Sequence, residues 1–170
     1  MRVVELFSGI GGMRLALKKS VEDLEASKCA LAIDNSDVAN RVYATNFKHQ
    51  VVLQKNVEDV DLPSIFEDVD LLTMSSPCQP YTRRGKLLAE RDSRSKALET
   101  VQAFEEGKKS FPKRILLENI FGFETSSQRN RLVNALKKKY YVKELLCSPA
   151  EEIFRFLPSR RPRYYMLVRR

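Results

Sequence analysis

The chain has 170 residues, 43% hydrophobic and 31% charged, with 30 Lys/Arg against 22 Asp/Glu and a net charge of +8. That balance describes an ordinary globular protein about one domain long. No apolar run approaches the ~20 residues of a membrane span, and the opening "MRVVELFSG" lacks the layout of a secretory signal, so an intracellular protein with no membrane partner is expected.

Apolar periodicity alternates along the chain between strand-like and helix-like segments. Val3 to Leu6 reads as a strand and Met13 to Leu24 as a helix, followed by a strand at Cys29 to Ile33. Asp37 to Asn46 reads as a helix with Asp37 as its cap, and Val51 to Leu53 as a short strand. A strand at Leu71 to Met74 then leads into "MSSPCQPYT". Helices are expected over Ser95 to Glu106 and Ser127 to Lys139, and strands over Arg114 to Glu118, Tyr140 to Leu146 and Tyr164 to Val168. Such alternation predicts an α/β fold with a mostly parallel sheet and helices on both faces, in one domain over residues 1–170.

Charge is unevenly divided. Residues 1 to 80 carry 8 Lys/Arg against 12 Asp/Glu, net −4, and residues 81 to 170 carry 22 against 10, net +12. A basic half beside an acidic half points to a polyanionic substrate, with nucleic acid the first candidate and a solvated lysine-rich surface the plainer alternative. The three cysteines, Cys29, Cys78 and Cys147, form no CxxC pair and have one histidine, His49, among them, which argues against a disulfide framework and a zinc site. Cys29 and Cys147 lie in apolar runs and read as core packing.

"LFSGIGGMRLAL" places Gly9, Gly11 and Gly12 where the first strand turns into the first helix, so a ligand can approach backbone N–H groups there. About 20 residues later, "AIDNS" ends the second strand with Asp34, an acid positioned to accept hydrogen bonds from ribose hydroxyls. A tight turn and a helix cap are the structural alternatives. Both features fall at the carboxyl ends of strands, where an open α/β sheet binds nucleoside ligands.

Cys78, bracketed by Pro77 and Pro80 after the fourth strand, sits in a stiff peptide suited to aiming a thiol. A nucleophilic cysteine acts as its thiolate and needs a positive neighbourhood, which Arg83, Arg84 and Lys86 offer in sequence. The fifth strand, "RILLEN", ends in Glu118-Asn119. A carboxyl desolvated there has a raised pKa suited to proton donation, and an ion pair with Lys or Arg is the alternative role. In "PSRRPRYYML", Arg161 and Arg163 stand two apart just before a strand, placed to hold a base carbonyl or a phosphate.

FSGIGG, AIDNS, SPCQPYT, LENI and RPRYY, in that order, resemble the cytosine-C5 methyltransferase family. The stretches "AIDNSDVANRVYATNF", "DSRSKAL" and "LLENIFGFETSSQRNRL" are similar to its tRNA-aspartate branch. The resemblance implies a Rossmann-like S-adenosylmethionine-dependent fold acting on cytosine C5 in the anticodon loop of tRNA, without a metal, and a monomer in the cytoplasm or nucleus. On the matching positions it implies that Phe7, Ser8, Gly9, Ile10, Gly11 and Gly12 hold the methionine part of the cofactor. It likewise puts Asp34 and Asn35 at the ribose, Val57 and Glu58 at the adenine, and Ser75 and Pro77 near the reaction centre. Cys78 would then add to C6, Glu118 would act on N3, Arg161 and Arg163 would steady the base, and Gln79, Arg83, Arg84 and Asn119 would touch the substrate.

Family members continue with a target-recognition region and a final motif whose helix packs beside the first glycine-rich turn. Both are absent from these 170 residues, so the resemblance implies a catalytic domain incomplete at its C-terminus. The polar residue that the family pattern suggests two positions before Arg161 is lacking, and Ser159 is all the sequence offers there. A DNA cytosine-C5 methyltransferase and a truncated, inactive cofactor- or RNA-binding form are the alternative readings.

Overall fold

The computed structural model describes residues 1–20, 29–48, 51–76, 111–148 and 161–170. Within them lie β1 (Val3–Leu6), α1 (Gly12–Ser20), β2 (Cys29–Asp34), α2 (Asp37–Asn46), β3 (Val52–Gln54), α3 (Leu62–Ile65), β4 (Leu71–Ser75), β5 (Arg114–Ile120), α4 (Ser127–Leu136), β6 (Tyr141–Cys147) and β7 (Arg163–Arg169). Short 3-10 turns occupy Val57–Asp59 and Phe123–Thr125. The helix expected over Ser95 to Glu106 and the last four residues of the one expected to Leu24 lie outside the described residues.

All seven strands join one sheet in the order β3-β2-β1-β4-β5-β7-β6. The first five pair in parallel, whereas β7 runs antiparallel between β5 and β6. This is the mostly parallel sheet that the alternation of elements predicts, with one reversed strand near an edge. β1 is central and buried on both faces. Val4, Leu6, Leu72, Met74, Ile115 and Leu117 pack on one side against Leu132, Val133 and Leu136 of α4. On the other side Ala32 meets Tyr43 of α2. Each such side chain contributes about 1.5–3 kcal/mol through removal from water.

Three local expectations are corrected. The cap of α2 is Ser36, whose hydroxyl accepts from the Ala39 N–H at 3.2 Å, and Asp37 instead lies in the first turn, paired with Arg41 at 3.3 Å. α4 stops at Leu136 rather than Lys139: the N–H groups of Lys138 and Lys139 donate to the carbonyls three residues back, Ala135 and Leu136, so the chain tightens out of the α-helix there. Cys147 is half-buried on the edge strand β6, not in the core.

A polar network seats β7. Arg129 of α4 donates through two nitrogens to the two oxygens of Glu144 on β6, and the Tyr164 hydroxyl donates to the same carboxylate at 2.6 Å. Because β7 is antiparallel, its first residue lies at the edge where the parallel strands end: Arg163 is opposite Ile120, and Tyr165 opposite Glu118. Reversal of one strand thereby brings an arginine to the functional edge.

Candidate active site

The turn after β1 is built by backbone conformations that few residues adopt. Phe7, Gly9 and Gly11 have φ of 56°, 53° and 90°. The Ser8 N–H continues the ladder to the Ile33 carbonyl at 3.0 Å, and Gly11 N–H closes back on the Ser8 carbonyl at 3.0 Å. A methyl group added at Gly11 would overlap the Phe47 ring and come within 3.0 Å of Tyr43. Gly11→Ala is therefore expected to lose roughly 1–3 kcal/mol of stability, read as a lowered denaturation midpoint. An unchanged midpoint would contradict the tight seating of this turn.

Gly9 and Gly12 differ from Gly11, because a Cβ at either would meet nothing within 4 Å. Beside them the Ser8 hydroxyl is buried and has no hydrogen-bond partner among the described residues. An orphaned buried hydroxyl next to two glycines that face open space is the arrangement a polar ligand would complete. Ile10, at 60% exposed, stands at the rim of the turn.

Asp34 ties the first two turns together. One carboxylate oxygen accepts from the Gly9 N–H at 2.8 Å and the other from the Ser36 N–H at 2.9 Å. An ionised carboxylate has about four acceptor positions, so two remain for hydroxyl donors. Asn35 is exposed and donates to Asn56 at 3.1 Å, which in turn donates to Asp59 at 2.9 Å, linking the end of β2 to the turn after β3. Val57 and Glu58 of that turn diverge: the valine is buried in the main core and the glutamate is exposed.

At the end of β4, the Ser75 hydroxyl donates to the Phe7 carbonyl at 2.9 Å and so fixes the strained residue of the first turn. Ser76 accepts from the Asn119 amide at 2.9 Å in a buried contact between the ends of β4 and β5. The Asn119 side-chain oxygen accepts from the Ile120 N–H at 2.8 Å, and the residue is 1% exposed. Asn119 is thus turned into the protein, because strand alternation sends it to the face opposite Glu118. Ser76→Ala should cost about 1–3 kcal/mol by stranding the buried amide, measurable by chemical denaturation. Loss-free replacement would show that the amide finds another partner.

Glu118 lies beside Ser75 in the parallel register and is paired with Arg163 at 2.8 Å. Removal from water pushes its carboxyl pKa up, while the charge and hydrogen bond of Arg163 and the charge of Arg161 pull it down; the upward effect prevails. The ion pair with Arg163 is the alternative role open to this residue, and the raised pKa is the property that proton donation would draw on. Burial likewise raises the Tyr165 hydroxyl, reinforced by the charges of Glu118 and Cys147. Arg163 opens β7 and its guanidinium also donates to the Pro162 carbonyl at 2.9 Å, while Arg161 precedes the strand and is exposed; the expectation that both stand before the strand is corrected for Arg163.

The structure therefore gathers Phe7 to Gly12, Asp34, Asn35, Ser75, Glu118 and Arg163 along one edge. Pro77, Cys78, Gln79, Arg83 and Arg84 lie outside the described residues, beginning one residue past Ser76. Sequence reasoning missed the Ser76–Asn119 contact. Its signal was the pair Glu118-Asn119 at a strand end, since one of two successive polar residues there must face inward and needs a partner.

An open sheet with a glycine turn after its first strand and an acid after its second defines the Rossmann-like class of nucleoside-cofactor proteins. A family profile described as C-5 cytosine-specific DNA methylase matches residues 1–167, and the chain belongs to that family. A tRNA (cytosine(38)-C(5))-methyltransferase of Homo sapiens is 36% identical over 171 residues, covering 99% of this chain and 42% of the relative. A DNA (cytosine-5)-methyltransferase of Dictyostelium discoideum is 31% identical over 176 residues, covering 100% and 44%. The crystal structure of the S. pombe Dnmt2 methyltransferase superposes with a TM-score of 0.80 at 31% identity, covering 99% of this chain and 49% of that one. The chain thus spans less than half the length of these relatives.

Proposed function

We propose that the chain transfers a methyl group from S-adenosylmethionine to C5 of a cytosine in tRNA, in an anticodon loop of the tRNA-aspartate type, through a covalent bond between Cys78 and C6. The observation that carries the reading is Glu118, half-buried with a raised pKa, held by Arg163 next to the strand that leads into Cys78.

The orphaned Ser8 hydroxyl, the open glycines and the free acceptor positions of Asp34 fit an adenosyl amino acid. The turn at Phe7 to Gly12 would hold the amino-acid part, Asp34 and Asn35 the ribose, Val57 and Glu58 the adenine, and Ser75 and Pro77 the region of the reacting group. When bound, the cofactor supplies an electrophilic methyl group.

The Cys78 thiolate adds to C6, forming a carbon–sulfur bond and pushing electrons toward C5 and N3. Glu118 meets the charge building at N3 with a proton, and removal from water, which raises its carboxyl pKa, favours the form that carries one. Arg163 fixes that carboxyl, and with Arg161 would steady the base; Gln79, Arg83 and Arg84 would hold neighbouring nucleotides. After methylation, N3 returns its proton to Glu118 and C5 gives its proton to water; the electrons of that C–H bond re-form the C5–C6 double bond as the C6–sulfur bond breaks, returning the thiolate and an aromatic ring. This chemistry needs an unstacked base, which a loop offers more cheaply than a duplex.

The name of the Dictyostelium relative and the description of the family favour DNA as the second reading. Incubation with methyl-labelled S-adenosylmethionine and bulk tRNA or duplex DNA separates the two. Label in tRNA is the expected result, and label confined to DNA overturns the choice of substrate. Cofactor binding with no transfer to either would identify a binding form without turnover.

A further inference from the structure

The sheet edge opposite the candidate active site carries a dense group of cations. Lys137, Lys138 and Lys139 follow α4, Arg114 begins β5, and Arg169 and Arg170 end the chain; all six are exposed. Arg114 and Tyr141 both lie directly opposite Arg169 in the strand register, which draws the group onto one end of the β5-β7-β6 unit. The acids at this edge, Glu67, Asp68 and Asp70, precede β4, and Asp70 already accepts from the Arg2 N–H and Lys113.

Two further features suit a strand of nucleic acid. Tyr141 is 62% exposed, with the Arg169 guanidinium 5.3 Å from its ring centroid, a stacking platform with a charge over it. Tyr141 also lines a groove of about 510 Å³, together with the apolar Leu71, Leu116 and Leu167 and the cationic Arg114, Lys143 and Arg169. A lining that mixes apolar and cationic side chains matches a base and its phosphates.

We infer that this edge is a second RNA-binding surface, gripping phosphates of the substrate RNA away from the reacting cytosine and stacking an unpaired base on Tyr141. The inference rests on the proposed tRNA substrate. Arg114 and Ile120 are the two ends of one seven-residue strand, so at about 3.3 Å per residue the two sites stand roughly 20 Å apart. Some six stacked nucleotides of one strand cover that span at about 3.4 Å each.

The test is the salt dependence of tRNA binding, followed by anisotropy of a labelled tRNA transcript, for the wild-type chain, K137Q/K138Q/K139Q, and Y141A. Losing three phosphate contacts should flatten the slope of log affinity against log salt by about 2 to 3 and leave S-adenosylmethionine affinity unchanged. Y141A should weaken binding roughly 5- to 100-fold at fixed salt with the slope kept, since stacking releases no counterions. A wild-type slope retained in the triple variant overturns this inference alone. A wild-type chain whose tRNA affinity ignores salt overturns the RNA reading as well, and a slope lost toward duplex DNA but kept toward tRNA assigns the surface to DNA. Should the triple variant unfold, R169Q takes its place, with an expected flattening of about one.

Discussion

Replacing Cys78 with alanine is expected to lower methyl transfer to tRNA on the order of 10⁴-fold or more while S-adenosylmethionine still binds. Cytosine C5 is a poor nucleophile because its electrons belong to an aromatic ring. Only addition at C6 frees them, and alanine cannot add. The cofactor residues on the first two turns are untouched by the change, so equilibrium dialysis against labelled cofactor should return the wild-type affinity. Residual transfer within about tenfold of wild type would mean that another group activates the ring. The effect is larger than any other here because the reaction loses a bond-forming atom.

Glu118→Gln is the second large effect, with an expected loss of about 10²- to 10³-fold in transfer rate. Glutamine keeps the shape and a hydrogen-bond donor but has no proton to give. The pH profile distinguishes this from a packing defect. Burial raises the Glu118 carboxyl above its ordinary value of 4.5, so activity of the wild type should fall on the alkaline side as that proton is lost, and the fall should vanish in the variant. Stability falls with rising pH in the same way, but the substitution acts on it in the opposite sense. A carboxyl whose folded pKa is raised contributes stability fully present below 4.5 and lost as pH rises through the folded value. The neutral variant escapes that loss, so near pH 7 its denaturation midpoint should equal or exceed that of the wild type. A variant both inactive and less stable at neutral pH would indicate that Arg163, left without its partner, dominates.

The parallel half of the fold was legible because buried strands read as short apolar runs between turn residues, as Val3 to Leu6 does to the residue. Strand ends were less so: β5 continues through Asn119 to Ile120 because its polar residues are satisfied by Arg163 and Ser76, partners distant in sequence. Helical spacing did not settle which side of α1 is inward, since Arg14 is buried and Leu15 is 48% exposed. The reversal of β7 carries no local signature either, yet it decides that Arg163 meets Glu118. At the site, the glycines and Asp34 were readable from order and chemistry. Ser76 was not, because a serine before a proline is an ordinary loop residue until Asn119 is brought against it. The cation group at the far edge was visible as an excess of charge in the second half but not as a place, for it is assembled from the end of one helix and the ends of two strands.

A bond between Cys78 and cytosine C6 in tRNA is the step on which the proposed reaction depends. A tRNA carrying 5-fluorocytidine in the anticodon loop tests it most directly, because fluorine at C5 cannot depart as a proton does and the thiolate is not released. Incubation with S-adenosylmethionine, followed by denaturing electrophoresis and mass mapping, should give a chain–RNA species whose linked peptide contains Cys78. Methylation of ordinary tRNA with no such species, or a link at another residue, would contradict the account.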